Sequence, residues 1–225
     1  MTVIRIKFKK DDSVKFISHL DMMKAFQRAI RRAGLHAGYS MGYNPQMQMV
    51  FGLPISLGFT SVAEYADFSF EEAYTPELMI DRLNNVLPAG LLVLDAGMRE
   101  TQKNIMADIM FAEYEFILET SLEQEDIVEG IMGAKRLEVQ KTRKGRSKMI
   151  DIRPLILKAE KRDGLIRVLV SAGNENNLNP RLAVEAVARH MDPSAIGRRY
   201  HRLGQYVERG GEMIDPLDDK ALKTI

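Results

Sequence analysis

Val3-Ile-Arg-Ile-Lys-Phe8, followed by Ser18-His-Leu-Asp-Met-Met-Lys-Ala-Phe-Gln-Arg-Ala-Ile-Arg-Arg-Ala-Gly34, sets the period of the fold. The first stretch alternates apolar with charged residues, the period-two signature of a strand with one buried face. The second changes to a helical period. Ser18 stands three residues before Asp21, a capping-box-like start, and Gly34 is a usual helix-ending residue. At about 100° per residue, Met22, Met23, Phe26, Ala29, Ile30 and Ala33 gather on one side of this helix. Lys24, Arg28, Arg31 and Arg32 gather on the other, within an arc of roughly 100°.

Working outward, Gln46–Phe51 and Val62–Phe70 read as strands, and Thr75-Pro76 opens a helix to about Leu87. Pro88-Ala-Gly then turns the chain into a strand over Leu91–Leu94. The order is strand, helix, strand, strand, helix, strand. Beyond it, Phe111–Leu118 alternates, Glu125–Met132 is a short acidic helix, and Ile156–Lys161 and Leu165–Val170 are strands. Leu137–Lys141 and Met149–Ile152 read as arms of a hairpin around Thr142–Lys148, and Asn179-Pro180 caps a last helix ending near Met191. The expected class is α+β, with two ferredoxin-like βαββαβ halves and antiparallel sheets. The halves are expected over residues 1–105 and 106–225.

Composition narrows the chemistry. The chain has 225 residues and no cysteine, so it has no disulfide, thiol nucleophile or protein-held iron–sulfur cluster of its own. None of its four histidines (His19, His36, His190, His201) pairs with another at the i, i+4 spacing of a helical metal site, and no metal site is expected. No apolar run reaches the roughly 18–20 residues of a membrane helix. The expectation is a cytoplasmic protein with no membrane partner.

Net charge is +1, but it is unevenly distributed. Residues 1–59 carry nine Lys/Arg against three Asp/Glu, residues 60–130 three against sixteen, and residues 131–167 twelve against four. Two basic blocks therefore flank an acidic one, a pattern that suits a polyanion-binding surface. The same blocks also suit an ordinary mixed surface if folding interleaves them. On the first helix, Lys24, Arg28, Arg31 and Arg32 repel one another, and a phosphate backbone would relieve that repulsion. A solvated face turned toward the acidic block is the alternative.

After the helix, Gly38-Tyr-Ser-Met-Gly-Tyr-Asn-Pro-Gln46 is a glycine- and tyrosine-bearing loop. Tyr39 and Tyr43 have the chemistry to stack on unpaired bases, and Asn44 and Gln46 to read base edges; packing on their own domain is the other reading. Lys141, Arg143, Lys144, Arg146 and Lys148 form a basic hairpin tip suited to phosphates, with Arg153 extending it. Arg198-Arg-Tyr-His-Arg202 adds a third basic element.

Catalytic motifs are sparse. Gly-x-Ser-x-Gly, Walker A and dinucleotide fingerprints do not occur. Ser18 and Asp21 are explained as caps, and His19 falls near the buried side of the wheel. General acid–base work by His19 with His36 is the alternative, because imidazole titrates near neutral pH.

Five segments together carry a resemblance: Phe16-Ile-Ser-His-Leu-Asp21, the RAIRRAG run Arg28–Gly34, Tyr39-Ser-Met-Gly-Tyr-Asn-Pro45, Leu53-Pro-Ile-Ser-Leu-Gly58 and Glu64-Tyr-Ala-Asp67. In this order they resemble the radical-SAM-associated domain family of unknown function. That family occurs as a standalone protein or at the C-terminus of cobalamin-binding radical SAM proteins. The motif-rich part spans about residues 3–70, with weaker similarity through Ile150-Asp-Ile-Arg-Pro154 and the Asn179-Pro180 helix. Two positions depart from the family pattern. Gln46-Met47 replaces a His-Pro-type segment, and His36 stands where proline is commoner.

The resemblance implies a radical SAM protein as partner and a setting of RNA-processing and ribosomal proteins. It supplies no catalytic residues, and no cofactor is expected on this chain. Three readings follow. The first is a non-catalytic accessory module that binds RNA or a ribonucleoprotein for a separate radical SAM enzyme. The second is a protein-interaction module without RNA binding. The third is a metal-independent endoribonuclease using His19 or His36.

Overall fold

The computed structural model describes residues 1–143, 145–173 and 177–223, and the side chains of Arg143 and Arg146 lie outside that description. The first elements are β1 (Thr2–Lys10), α1 (His19–Arg32), β2 (Met49–Phe51), β3 (Thr60–Phe70), α2 (Pro76–Asn84), β4 (Leu91–Met98) and α3 (Ile105–Asp108). Then follow β5 (Ile109–Glu119), α4 (Gln124–Gly133), β6 (Glu138–Arg143), β7 (Arg146–Asp151), β8 (Ile156–Arg162) and β9 (Leu165–Ser171). The chain ends through α5 (Pro180–His190), β10 (Ile196–Arg209), β11 (Glu212–Ile214) and α6 (Asp219–Leu222). The protein is mixed α+β, with a large, mostly antiparallel sheet and several helices.

Two compact units divide the chain: Met1–Met110 with Gly204–Ile225, and Phe111–Leu203. The stretch from Gly204 onward, placed by sequence order in the C-terminal half, thus returns to the first unit. Side-chain chemistry accounts for this. Gln205 Nε2 donates to the Ala63 carbonyl at 2.6 Å, Arg209 pairs with Asp108, and Asp215 takes hydrogen bonds from Lys7 Nζ and the Tyr65 hydroxyl, each at 2.8 Å.

In the first unit β1 lies between β4 and β3, and β2 pairs with the other side of β3, all antiparallel. Alternation along β1 sends Ile4, Ile6 and Phe8 to one face and Arg5 and Lys7 to the other. The apolar face packs on α1 and α2. Phe26 of α1 meets Phe8 edge-on at a centroid distance of 4.8 Å, and Phe51 joins Phe26 at 5.6 Å and Phe68 at 5.9 Å.

Helix α1 begins as its sequence indicates. Ser18 Oγ accepts from the Asp21 amide at 3.1 Å and donates to the Asp21 carboxylate at 2.7 Å. The helix closes with Gly34 at φ +64°, where Leu35 N–H reaches back to the Ile30 carbonyl at 3.1 Å. The strand expected over Gln46–Phe51 is shorter: Met49–Phe51 form β2, and an isolated bridge joins Tyr39 to Met47.

In the second unit β9 lies between β5 and β8, again antiparallel. Tyr114 and Phe116 of β5 and Ile166 and Val168 of β9 are buried, as are Ile127 and Ile131 of α4 and Val184 and Val187 of α5. Strands β6 and β7 form a separate two-stranded sheet. Its arms are longer than expected, so Thr142, Ser147 and Lys148 belong to paired strands and not to the turn. Thr142 and Ser147 hydroxyls hydrogen-bond across the arms at 2.9 Å.

Candidate nucleic-acid interface

The amphipathic period of α1 turns Met22, Phe26, Ala29 and Ile30 into the core and leaves Lys24, Arg28, Arg31 and Arg32 exposed. Arg32 is tethered, its Nη2 donating to the Val86 carbonyl. Lys24, Arg28 and Arg31 have no carboxylate partner among the described residues. Arg28, Arg31 and Arg32 line a surface pocket of about 530 Å³, with Ala25 and Pro88 supplying apolar wall. Cations held together without acids are a fixed positive field, which an anion enters without displacing an ion pair.

The loop after α1 is closed on itself. Ser40 N–H donates to the Gln46 carbonyl at 2.8 Å, and Gln46 N–H donates to Ser40 Oγ at 2.9 Å. This closure lifts Met41 and Tyr43 into solvent, where both side chains are fully exposed. Asn44 and Gln46 are exposed beside them, whereas Tyr39 is half-buried against the core of the first unit.

The histidines occupy different environments. The His19 ring meets Phe51 edge-on at 5.6 Å, and its Nδ1 is buried with no hydrogen-bond partner among the described residues. Burial holds His19 below its ordinary pKa, toward the neutral imidazole. His36 is exposed, with Nδ1 2.7 Å from Glu72 Oε1, while the Tyr74 hydroxyl donates to Glu72 Oε2 at 3.1 Å. These hydrogen bonds, His36 first, hold the Glu72 carboxyl below its usual value. In the tautomer whose Nδ1 donates to this carboxylate, Nε2 is the acceptor, the arrangement a general base needs. His19 opens α1 and His36 follows its end, so about 20 Å of helix at 1.5 Å per residue separates them. The two imidazoles do not share a site.

On the hairpin, Lys141 and Lys148 are exposed and stand directly opposite each other. Arg143 and Arg146 are opposed in the same register, their side chains outside the description, and Lys144 lies outside the described residues. Arg153 does not extend this patch. Its guanidinium donates to the carbonyls of Ile156 at 2.8 Å and Met132 at 2.9 Å, anchoring the turn after β7 to the end of α4. The third basic element is likewise dispersed. Arg198 pairs with Glu119 at 3.2 Å, and buried Arg202 donates to the Tyr114 hydroxyl at 2.9 Å. Tyr200 packs between Phe116 and the Arg181 guanidinium.

Sequence reasoning missed the charged cluster on the other face of the first unit's sheet. Arg5 donates to Asp67 through Nε at 2.7 Å and Nη2 at 3.2 Å, and Arg99 Nη1 and the Ile105 amide donate to Asp67 Oδ2 at 3.2 and 2.8 Å. The available signal was a carboxylate inside the apolar run around Tyr65, Ala66 and Phe68. Among the described residues, no group of three or more His, Asp or Glu is placed to hold a metal ion, and no helix is long and apolar enough to cross a membrane.

A family model described as "Uncharacterized protein conserved in bacteria (DUF2344)" matches residues 3–180. The chain belongs to this family. The matched DUF2344 region contains α1, its following loop and the basic hairpin, so each basic feature above except Arg198–Arg202 lies within the family's span. No curated protein matches the chain. Among solved structures, a chain of "Crystal Structure of a Cbf5-Nop10-Gar1 Complex" is similar at 13% identity and TM-score 0.46. That similarity covers 91% of this chain, which spans about half (48%) of the matched chain.

Proposed function

We propose that this protein is a non-catalytic RNA-binding accessory module that works beside a separate radical SAM enzyme. The observation carrying the proposal is the α1 face, where Arg28, Arg31 and Arg32 line one pocket and Lys24, Arg28 and Arg31 lack carboxylate partners among the described residues. The exposed Tyr43 and the lysines of the hairpin add a stacking group and further phosphate contacts. We read both units as ferredoxin-like. The orders β4-β1-β3-β2 and β5-β9-β8, with helices in the crossovers, support that reading. The partnership with a radical SAM enzyme rests on the sequence resemblance, and these 225 residues offer no cysteine to hold a cluster, which supports reading the module as accessory to one.

Fluorescence anisotropy with labelled single-stranded RNA at 50–200 mM salt tests the proposal. The binding constant should fall linearly with salt on logarithmic axes, with a slope of roughly −0.7 per phosphate contacted. Arg28→Glu with Arg31→Glu should flatten that slope and weaken binding by about tenfold or more. Binding that is absent, or indifferent to salt, defeats it. Co-purification of a radical SAM protein that survives nuclease treatment, with no RNA affinity, would favour the pure interaction module instead.

The oriented His36–Glu72 pair favours a second reading, RNA cleavage. There His36 Nε2 takes the 2′-hydroxyl proton, the 2′-oxygen bonds to phosphorus, and the P–O5′ bond breaks as solvent protonates O5′. The products are a 2′,3′-cyclic phosphate and a 5′-hydroxyl. Cleavage abolished by His36→Ala and retained by His19→Ala would establish it over the binding module.

A further inference from the structure

The sheet of the first unit has a second face, opposite α1, and that face carries different chemistry. Val3 and Ser69 project there with Arg5 and Asp67, and they border a groove of about 370 Å³. Four carboxamides meet in it: Gln46 and Gln48 from the chain entering β2, and Gln102 and Asn104 from the segment between β4 and α3. All four have uncommitted donors or acceptors, although Gln46 spends its Nε2 on the Asn44 carbonyl at 3.4 Å. The Gln48 and Gln102 side chains have no hydrogen-bond partner among the described residues. Asn104 uses Oδ1 to accept from the Ala107 amide at 3.0 Å, which leaves its NH₂ group open.

The charged groups in the groove are largely spent. Asp67 already receives the Arg5 pair, Arg99 Nη1 and the Ile105 amide, so its two oxygens have little capacity for a cation. Arg99 also lines the groove, and its Nε is buried without an acceptor among the described residues. A buried N–H without a partner costs free energy unless a ligand supplies one. The open functionality is therefore neutral amide donors and acceptors, with one unsatisfied guanidinium N–H.

That set suits a planar neutral heterocycle with donors and acceptors along its edge. A phosphate would find a single, already paired cation, whereas a nucleobase would find amides matched to its Watson–Crick or Hoogsteen edge. The volume lies near the lower end of ligand pockets, about 300–1,000 Å³. We propose that this amide-lined groove seats one unpaired nucleobase and reads its edge through Gln48, Gln102 and Asn104. For RNA as the source of that base, the proposal rests on the RNA-binding reading above. It adds base selection on one sheet face to phosphate binding by α1 on the other. The loop bearing Tyr43 leads from α1 to β2 and so connects the two.

The test is NMR on the ¹⁵N-labelled full chain, titrated with the four RNA homotetramers and, separately, with the four free nucleosides. The side-chain NH₂ signals of Gln48, Gln102 and Asn104 should shift with one tetramer more than with the others. Gln48→Leu with Gln102→Leu should weaken the preferred tetramer about tenfold and flatten the ranking, leaving the salt slope unchanged. Arg28→Glu with Arg31→Glu should do the reverse, changing the slope and keeping the ranking. The single variant Gln102→Ala, at an exposed position, gives the same reading if the double variant unfolds. RNA binding with unmoved amide signals, or a ranking the Gln variants leave intact, overturns the groove and spares the RNA-binding reading. Amide shifts with nucleosides and none with RNA overturn the RNA source and keep the nucleobase site. Shifts with neither overturn the site altogether.

Discussion

Arg5 and Asp67 face each other directly across antiparallel β1 and β3, and their side chains form a two-pronged ion pair with the guanidinium fully buried. Arg5 Nη1 also donates to the Pro216 carbonyl at 3.1 Å, so the pair holds the C-terminal segment against the sheet. Removing one partner of a buried pair leaves an uncompensated charge, at a cost of about 3–5 kcal/mol. Asp67→Ala is therefore expected to lower stability by that amount in urea unfolding. Glu125→Ala, which breaks the exposed pair with Lys161, should leave the midpoint unchanged. Equal effects from the two variants would contradict this assignment.

Burial sets a pH dependence. It holds His19 below its ordinary value of 6.5, and does the same for His201 against a weaker opposing pull from Glu115. The unfolded chain therefore binds protons at these sites before the folded chain does. The contribution of these sites to stability is full above about pH 6.5 and is lost progressively as pH falls below it. His19→Gln should make the urea midpoint less sensitive to pH across that window. A slope identical to that of the unsubstituted protein would show that His19 does not contribute.

Lys141 and Lys148 are directly opposed on the β6–β7 hairpin, an arrangement that destabilises a strand pair by up to ~1 kcal/mol. Lys141→Glu should raise the unfolding midpoint of the second unit slightly and weaken RNA binding at the same time. Gains in both stability and affinity would remove the hairpin from the proposed interface.

Tyr43 offers a clean separation of binding from stability. Its side chain is fully exposed, so Tyr43→Ala should leave the thermal midpoint in place. A base stacked on the ring would be worth about 1–3 kcal/mol, seen as weaker single-stranded RNA binding in anisotropy. Tyr39→Ala should instead destabilise, because Tyr39 packs against the core of the first unit.

Much of the architecture was legible along the chain because local periods and caps act over a few residues. Ser18, Gly34 and the apolar stripe through Phe26 placed α1, and Asn179-Pro180 placed α5. The exposed cations of α1 followed from the same wheel. Strand β10 was not legible. Its run from Ile196 to Arg209 lacks alternation, and it reads as a basic cluster. Arg202 and Gln205 are buried in it, where the Tyr114 hydroxyl and the Ala63 carbonyl receive hydrogen bonds from them. A polar side chain enters a core when a distant partner satisfies it, and strand spacing carries no record of that partner.

The candidate sites divide in the same way. Residue type and helical period were sufficient to put Lys24, Arg28, Arg31 and Arg32 on one solvent-facing surface, since positions three and four apart on a helix are neighbours whatever surrounds it. They were also sufficient to exclude cysteine chemistry. They could not separate His19, pressed on Phe51, from His36, oriented by Glu72, nor withdraw Arg153 from the basic patch. Nor could they assemble Gln48, Gln102 and Asn104 into one groove. Each of those outcomes depends on contacts between residues far apart in the chain. Such contacts are settled by which strand lies beside which, and that order is a property of the packed molecule and not of any local stretch.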